Sequence, residues 1–301
     1  MRVLVLGQSG FIGQNCVAQL TKAGMDVPRF AKVDLRVEDN VKSIFDCEPY
    51  DVVIQAAATT TGSKDVMLNP ALHVTDNAVM NSWIFREAVI AKAGHVIFPS
   101  CTVMYQPMDT KQKESDWDAN DEIYGNYFGV GNTKVYLEKM CEFYSRLGDT
   151  KFTAIRHSNV YGPHDKYDLD KCHVIPAFIR KAHEAEGTME IWGSGKAKRD
   201  VLYIDDLVDF IKLAIKKQDS KYELFNVGSG KAYAIEKIAE IACHVFSKYD
   251  VKFEYNTSKP DIPTTVVLDC SKAKEKLGWK PTRNFLWGMG ATARWYEKQA
   301  N

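Results

Sequence analysis

The first thirteen residues, Met-Arg-Val-Leu-Val-Leu-Gly-Gln-Ser-Gly-Phe-Ile-Gly, constrain the fold more than any other stretch of the chain. Val3 to Leu6 form an apolar run of the length expected for a strand buried on both faces of a parallel sheet. The run stops at Gly7, and Gly10 and Gly13 each follow three residues further on. Strand, tight turn and helix is the arrangement implied. Glycines let the backbone turn sharply and approach a dinucleotide pyrophosphate, while a helix from about Phe11 turns free N–H groups and a positive dipole end toward that charge. Gly7, Gln8, Ser9, Gly10, Phe11, Ile12 and Gly13 are therefore the candidate cofactor contacts. An ordinary strand-to-helix turn is the plainer reading. The β-run directly before the glycines supplies the context that a nucleotide site requires.

With 301 residues the chain can build one large or two modest domains, and Lys plus Arg balance Asp plus Glu at 39 each. No net field draws it to nucleic acid or to an anionic membrane. No stretch approaches the ~20 apolar residues of a membrane span. A start at Met1 that runs straight into the glycine pattern leaves no room for a signal peptide, so a cytoplasmic location is expected. Seven cysteines are scattered without a C-x-x-C pair, which predicts reduced thiols. The histidines His157, His164 and His183 stand apart, with no metal-ligand spacing, and no metal is expected.

Along the chain, a helix over about 11–23 leads to a short second strand near Asp26 to Phe30, whose end normally faces the adenosine ribose. No acidic residue stands there to grip a free 2′-hydroxyl. Arg29 and Lys32 suit a 2′-phosphate, which points to NADP with NAD as the alternative, although both could be solvated surface cations. Asp34 and Leu35 follow, then a helical stretch from Glu38 to Phe45. The run Asp51 to Ala58 reads as a buried strand ending in Ala56, Ala57 and Ala58, small side chains that let a cofactor lie close or that merely pack tightly. A long helix from Pro70 to Ala93 precedes the strand His95 to Pro99. Directly after it, Ser100, Cys101 and Thr102 put hydroxyls and a thiol where open α/β sheets hold their chemistry. Residues 106–131 read as a long loop over the site, Lys134 begins a helical pattern, and a strand from Phe152 to Arg156 ends near His157.

The glycine pattern, the alanines, the Ser-Cys-Thr turn, Lys134, Asn159-Val-Tyr-Gly-Pro163, Arg199 and Asp205-Asp206 together resemble the extended short-chain dehydrogenase/reductase superfamily. Tyr161-Gly-Pro-His-Asp165, His173-Val-Ile-Pro176, Arg180 to Ala185, Trp192-Gly-Ser-Gly195, Ser258 to Asp261 and Leu277-Gly-Trp279 narrow it to the nucleotide-sugar epimerase/reductase branch, nearest to the GDP-fucose synthase family. The resemblance implies a Rossmann-type α/β fold, a doubly wound parallel sheet with a smaller C-terminal α/β substrate domain. Residues 1–160 with about 200–226 would hold the dinucleotide, and 161–199 with 227–301 the nucleotide sugar. It further implies epimerisation of a GDP-linked 4-keto sugar, reduction at C4 with NADPH, and a homodimer formed through the helices 70–93 and 134–146.

Residue by residue, the resemblance makes Lys134 the nicotinamide-ribose lysine, His173 an acid that protonates an epimerising carbon, and Cys101 a neighbour of the epimerising cysteine. Ser100 and Thr102 compete to orient the C4 oxygen. His157 and Val160 join the cofactor contacts. Arg180, Lys181 and Arg199 become diphosphate contacts, with Trp192, Asn159 and Val174 as further substrate positions. Cys172 is a weaker thiolate candidate. One position departs from the family pattern: the motif is Tyr-x-x-x-Lys, and Val130 stands four residues before Lys134. Valine transfers no proton, so C4 chemistry needs another group. Tyr127 could supply it if the glycines around it, at 125, 129 and 131, let that segment curl into the site. An NAD-dependent 4-dehydrogenase or hexose epimerase, or a dinucleotide-binding redox sensor, are the rival readings.

Overall fold

The computed structural model describes residues 1–46, 49–60, 69–108, 110–259 and 265–300. Its strands are β1 (Val3–Leu6), β2 (Val52–Gln55), β3 (His95–Pro99), β4 (Lys151–His157), β5 (Asn159–Tyr161), β6 (Thr188–Trp192), β7 (Lys198–Tyr203), β8 (Tyr222–Val227), β9 (Ala232–Ala234) and β10 (Lys252–Asn256). The α-helices among the described residues are α1 (Phe11–Lys22), α2 (Glu38–Phe45), α3 (Pro70–Ile90), α4 (Phe128–Tyr144), α5 (Val174–Glu184), α6 (Ile204–Lys217), α7 (Ile235–Val245), α8 (Ser271–Leu277) and α9 (Phe285–Ala300).

Five strands form one parallel sheet in the order β1-β2-β3-β4-β8. Its first three strands are largely apolar because both faces are covered, while β4 and β8 also carry buried polar groups such as Arg156 and Asn226. Side chains alternate across a strand, so Val3 and Val5 enter one core with Val17 and Leu20 of α1 and Leu207 and Ile211 of α6. Leu4 and Leu6 enter the other, with Val41 of α2, Ile84 and Phe85 of α3 and Leu137 of α4. A single slip of register would exchange these two sets.

The predicted second strand is reduced to one parallel bridge, Arg2 to Asp26, and residues 27–30 carry no strand. Pro28 has no N–H to give a ladder, which ends pairing there. That bridge still lies on the opposite side of β1 from β2. The strand order therefore reverses at β1, and the C-terminal ends of β1 and β2 flank a topological switch point, where such sheets bind ligands.

Two smaller sheets follow. Strands β5, β7 and β9 form one, and β6 pairs with β10 in the other. Helices α5, α7 and α9 pack with them in the first core through Phe178, Ile179, Ile238 and Met289. The connection between β4 and β5 is the single residue Ser158, so the main sheet and the β5 sheet meet directly at the C-terminal edge of β4.

Candidate active site

At the end of β1, Gly7 has φ of 76°, in the left-handed region that favours glycine. A Cβ there would lie 2.6 Å from the Ala57 nitrogen, and one on Gly13 would lie 2.1 Å from the Gly7 oxygen. The turn is folded against its own helix and against the end of β2, which accounts for both glycines. Buried Gln55 holds the facing lip, its amide donating to the Ala57 oxygen at 3.1 Å and to Asn81 Oδ1 at 3.0 Å. Gly10 caps α1 without a side-chain hydrogen bond, and the first turn, with Phe11 and Ile12, carries no acidic residue. Its N–H groups and dipole end suit a pyrophosphate, so these residues fit a dinucleotide. Ser9 and Ala58 are exposed at the rim, and Gln8 Nε2 lies 3.5 Å from the Pro28 oxygen, beside exposed Arg29.

Asp34 takes a different course from the one expected of a cofactor contact. Its carboxylate pairs with Arg36 at 2.8 Å, and the hydrogen bonds from that guanidinium and its N–H lower the acid to about 2. Leu35 packs on the core beneath α2 and α3. Arg36 continues to Asp76 at 3.2 Å, which ties the loop to α3.

Lys134 projects from α4 toward the end of β3, its Nζ 3.4 Å from the Pro99 oxygen and 4.8 Å above the Phe98 ring. Burial lowers its pKa, while Cys101 and Glu138 oppose that shift. Val130 lies one turn earlier on the same helix, so the face over the lysine carries no phenol. Cys101 follows β3, and burial pushes its thiol up against the lowering charge of Lys134. Thr102, also half-buried, is the hydroxyl of this turn left near the lysine.

Ser100 is not available for that duty. Its buried Oγ donates to Glu138 Oε1 at 2.6 Å. Glu138 in turn holds Arg156 at 2.7 Å, with the two side chains 3% and 2% exposed. The Arg156 guanidinium lies 4.9 Å over the Tyr105 ring, and the Tyr105 hydroxyl donates to Asn226 Oδ1 at 2.8 Å. Sequence reasoning missed this buried network. The only available signal was a glutamate one turn past Lys134 between apolar Leu137 and Cys141.

Two histidines complete the cluster. His157 ends β4, where burial lowers its pKa to about 4, the charges of Lys134 and His173 adding to that effect. His173 is the N-cap residue of α5. Its ring is open to solvent at one side yet closely surrounded, and that enclosure first and the Lys166 charge second lower its pKa. Cys172 beside it is raised by burial to about 11, which keeps it a thiol. Tyr127 lies in a 3-10 turn, Gly125–Tyr127, that runs into α4. It packs with Cys101 on a small core of Met104, Tyr105, Ile123 and Leu268. Burial raises the phenol's pKa, and Arg199, Tyr124 and Cys101 are the charged or ionisable groups that act on it. The segment curls into a turn that carries Tyr127 toward Cys101 rather than along the helix from Lys134.

The substrate positions lie on the neighbouring sheets. Asn159 Nδ2 donates to the Asp200 oxygen at 2.9 Å, fixing β5 to β7, and Val160 packs on the first core. Val174 opens α5 and joins the same core. Lys181 donates to the Glu190 oxygen at 2.9 Å and stands 5.5 Å from the Trp192 ring, which Lys259 approaches at 5.7 Å. Trp192 Nε1 donates to Glu190 Oε2 at 2.8 Å. Arg180 is held on its own helix by Glu184 at 2.9 Å and by the Tyr167 oxygen at 3.1 Å. Arg199 donates to the Lys198 oxygen at 2.8 Å. Next to it, buried Asp200 accepts from Ser229 Oγ at 2.8 Å, the Ser229 and Gly230 nitrogens at 2.9 and 3.1 Å, and the Leu268 nitrogen at 3.2 Å. Among the described residues no cluster of His, Cys, Asp or Glu could hold a metal ion, and no helix is long and apolar enough to cross a membrane.

Known proteins share this arrangement. The chain is 31% identical over 302 residues to a GDP-L-fucose synthase of Sinorhizobium fredii, covering 96% of this chain and 93% of the relative. Its fold matches a UDP-glucose 4-epimerase of Thermotoga maritima solved with UDP-glucose, at TM-score 0.89 and 25% identity over 100% of both chains. A GDP-6-OMe-4-keto-L-xylo-heptose reductase of C. jejuni has the same fold at TM-score 0.90 and 22% identity, covering 99% of this chain and 98% of that one. The family model described as NAD dependent epimerase/dehydratase matches residues 3–228, from the first strand through the last strand of the main sheet. By that match and by the nucleotide turn at its switch point, the chain belongs to the NAD dependent epimerase/dehydratase family.

Proposed function

We propose that this enzyme is an NAD(P)-dependent epimerase and 4-keto reductase of a GDP-linked sugar. The observation that carries the reading is one cluster, Cys101, Lys134, His157 and His173, gathered from the C-terminal ends of β3 and β4, from α4 and from the start of α5. The 31% likeness to a GDP-L-fucose synthase supports the GDP-linked substrate. Gly7 to Gly13, Ala56 to Ala58, Val160 and Arg29 would hold the dinucleotide, which supplies or takes up a hydride at the sugar. Exposed Arg29 favours the 2′-phosphate of NADP.

The chain's own groups account for the rest of the chemistry. Next to a ketone, loss of a carbon-bound proton leaves an enolate, and an acid returns the proton from the opposite face. Cys101, with Lys134 beside it to stabilise a thiolate, and His173 at the mouth of the cluster are the opposed pair. Thr102 is the hydroxyl that orients the C4 oxygen. Lys181, Trp192, Arg180 and Arg199 would receive the nucleotide diphosphate, Arg as the bidentate partner. Leu72, Ile90, Tyr136 and Phe143 leave more than half of their surface exposed on α3 and α4. That apolar face supports a homodimer formed by those two helices.

The test is incubation with NADPH and GDP-4-keto-6-deoxymannose in deuterated water. Deuterium in the sugar by mass spectrometry together with loss of NADPH absorbance is the expected result. Absence of both signals, with NADPH bound, would overturn the reading. An epimerase using bound NAD is the second reading, favoured by the likeness to a UDP-glucose 4-epimerase. Conversion of UDP-glucose without net cofactor turnover would select it.

A further inference from the structure

We propose that His157 is the catalytic proton-transfer group at the sugar C4 oxygen, taking the part left vacant by Val130. The proposal rests on the oxidoreductase reading above. Three observations support it, beginning with location. His157 is the last residue of β4 and pairs with Val227 of β8, at the sheet edge where Cys101 also leaves β3. Chemistry in open parallel sheets is carried at this edge.

The second observation is the ring's hydrogen bond. Nδ1 lies 2.8 Å from the Ser158 oxygen. A carbonyl only accepts, so Nδ1 carries the hydrogen, and the lone pair of the neutral ring falls on Nε2. The residue that links β4 to β5 thereby fixes the tautomer that a general base needs.

Company is the third. The charges of Lys134 on α4 and of His173 at the start of α5 are the ones that act on the imidazole. Both disfavour the imidazolium, as does burial, so the ring is neutral at pH 7 and keeps its lone pair on Nε2. Tyr127 does not share this company, since its phenol answers to Arg199, Tyr124 and Cys101. Lys134 has lost the phenol one helical turn away, and His157 is the titratable group of the cluster nearest in role to it.

In the oxidising direction the C4 hydroxyl loses its proton to His157 Nε2. The C4–H bond breaks with its electron pair, which leaves as hydride for NAD(P)⁺, and the carbinol becomes a ketone. In the reducing direction Nε2 takes up a proton from solvent and passes it to the C4 oxygen as hydride arrives at C4. The lysine charge steadies the oxygen in both directions and makes the imidazolium a stronger acid.

His157→Gln, His157→Phe and the double variant Val130→Tyr/His157→Gln test the assignment in the full-length protein. In the unliganded wild type, ¹⁵N chemical shifts of the imidazole should report Nδ1–H with unprotonated Nε2 at pH 7. With NADPH and GDP-4-keto-6-deoxymannose, His157→Gln and His157→Phe should slow NADPH oxidation about 100-fold or more, the usual worth of a positioned acid–base group. NADPH is kept saturating, its binding followed by fluorescence, so that any change in cofactor affinity does not enter the compared rates. The phenol installed by Val130→Tyr should recover about tenfold or more of the lost rate, a larger gain than it brings to the wild type, whereas beside a merely structural histidine the two gains would be equal. Either an Nε2–H tautomer or full NADPH oxidation by His157→Gln would overturn the proposal. A wild type that binds NADPH and turns over neither substrate nor cofactor would instead overturn the function on which it rests, while the ¹⁵N shifts still decide the tautomer.

Discussion

Asp165 makes stability depend on pH in a direction opposite to that of most carboxylates. It follows β5 and is only 9% exposed. Oδ1 accepts from the Lys166 nitrogen at 2.7 Å, and Oδ2 has no hydrogen-bond partner among the described residues. Burial raises the acid from 3.8 to about 7, against the lowering effect of the Lys166 N–H and charge. The unfolded chain gives up this proton near pH 4, whereas the folded chain keeps it until about 7. Through that window the folded state binds more protons, so its stability falls as pH rises and levels off above it. Integrating the two titrations from pH 5 to pH 8 gives a loss of about 3 kcal/mol from this one group. Asp165→Asn keeps an oxygen for the Lys166 N–H and cannot ionise. Urea unfolding of wild type and variant at both pH values isolates the effect, because every other titrating group cancels in the difference. The variant should gain about 3 kcal/mol on the wild type between pH 5 and pH 8. A difference unchanged across that range would refute the assignment of a buried, protonated acid.

Glu138→Gln should cost about 3–5 kcal/mol, read as a lowered melting temperature, because it leaves the Arg156 charge buried without its partner. Ser100→Ala, removing one hydrogen bond to that carboxylate, should cost about 1.5–3 kcal/mol by the same measurement. Gly13→Ala should weaken NADPH binding, measured calorimetrically, by about tenfold or more, since the added methyl meets the Gly7 oxygen and pushes α1 off the turn. Val130→Tyr alone should raise the rate of C4 hydride transfer in a stopped-flow absorbance trace, as it adds a second proton carrier over Lys134.

Strands β1, β2 and β3 could be read from the chain because each is largely an apolar run bounded by glycine or polar residues, and local rules act within such short windows, whereas β8, with Glu223 and Asn226 in it, does not read as a strand. Pro28 was equally visible, yet its effect on the second strand was overlooked. The glycine turn was legible for the same local reason, and the structure adds only how tightly Ala57 closes on it. Contacts between distant segments were not legible. Ser100 looked like a free hydroxyl until Glu138, 38 residues away, took it. Arg180 reads as a phosphate clamp from its motif, and that its own helix holds it to Glu184 at the spacing that pairs charges appears only in the structure. His157 drew little weight because its sequence neighbours give no hint of Lys134 or His173, which arrive from two other elements.

Asp200 bears on how the cleft can move. The backbone that leaves β8 for β9 passes from the main sheet to its neighbour, and Asp200 on β7 grips it at Ser229 and Gly230 while also holding Leu268. Spreading the two sheets like a jaw would strip a buried anion of these donors, which costs far more than a surface contact. The gape is therefore set by the scaffold. Adaptation to a different sugar nucleotide falls to the exposed side chains of residues 118–122, between the two 3-10 turns, since Gln112 and Glu114 before them are bonded into the seam at Leu268 and Asn226.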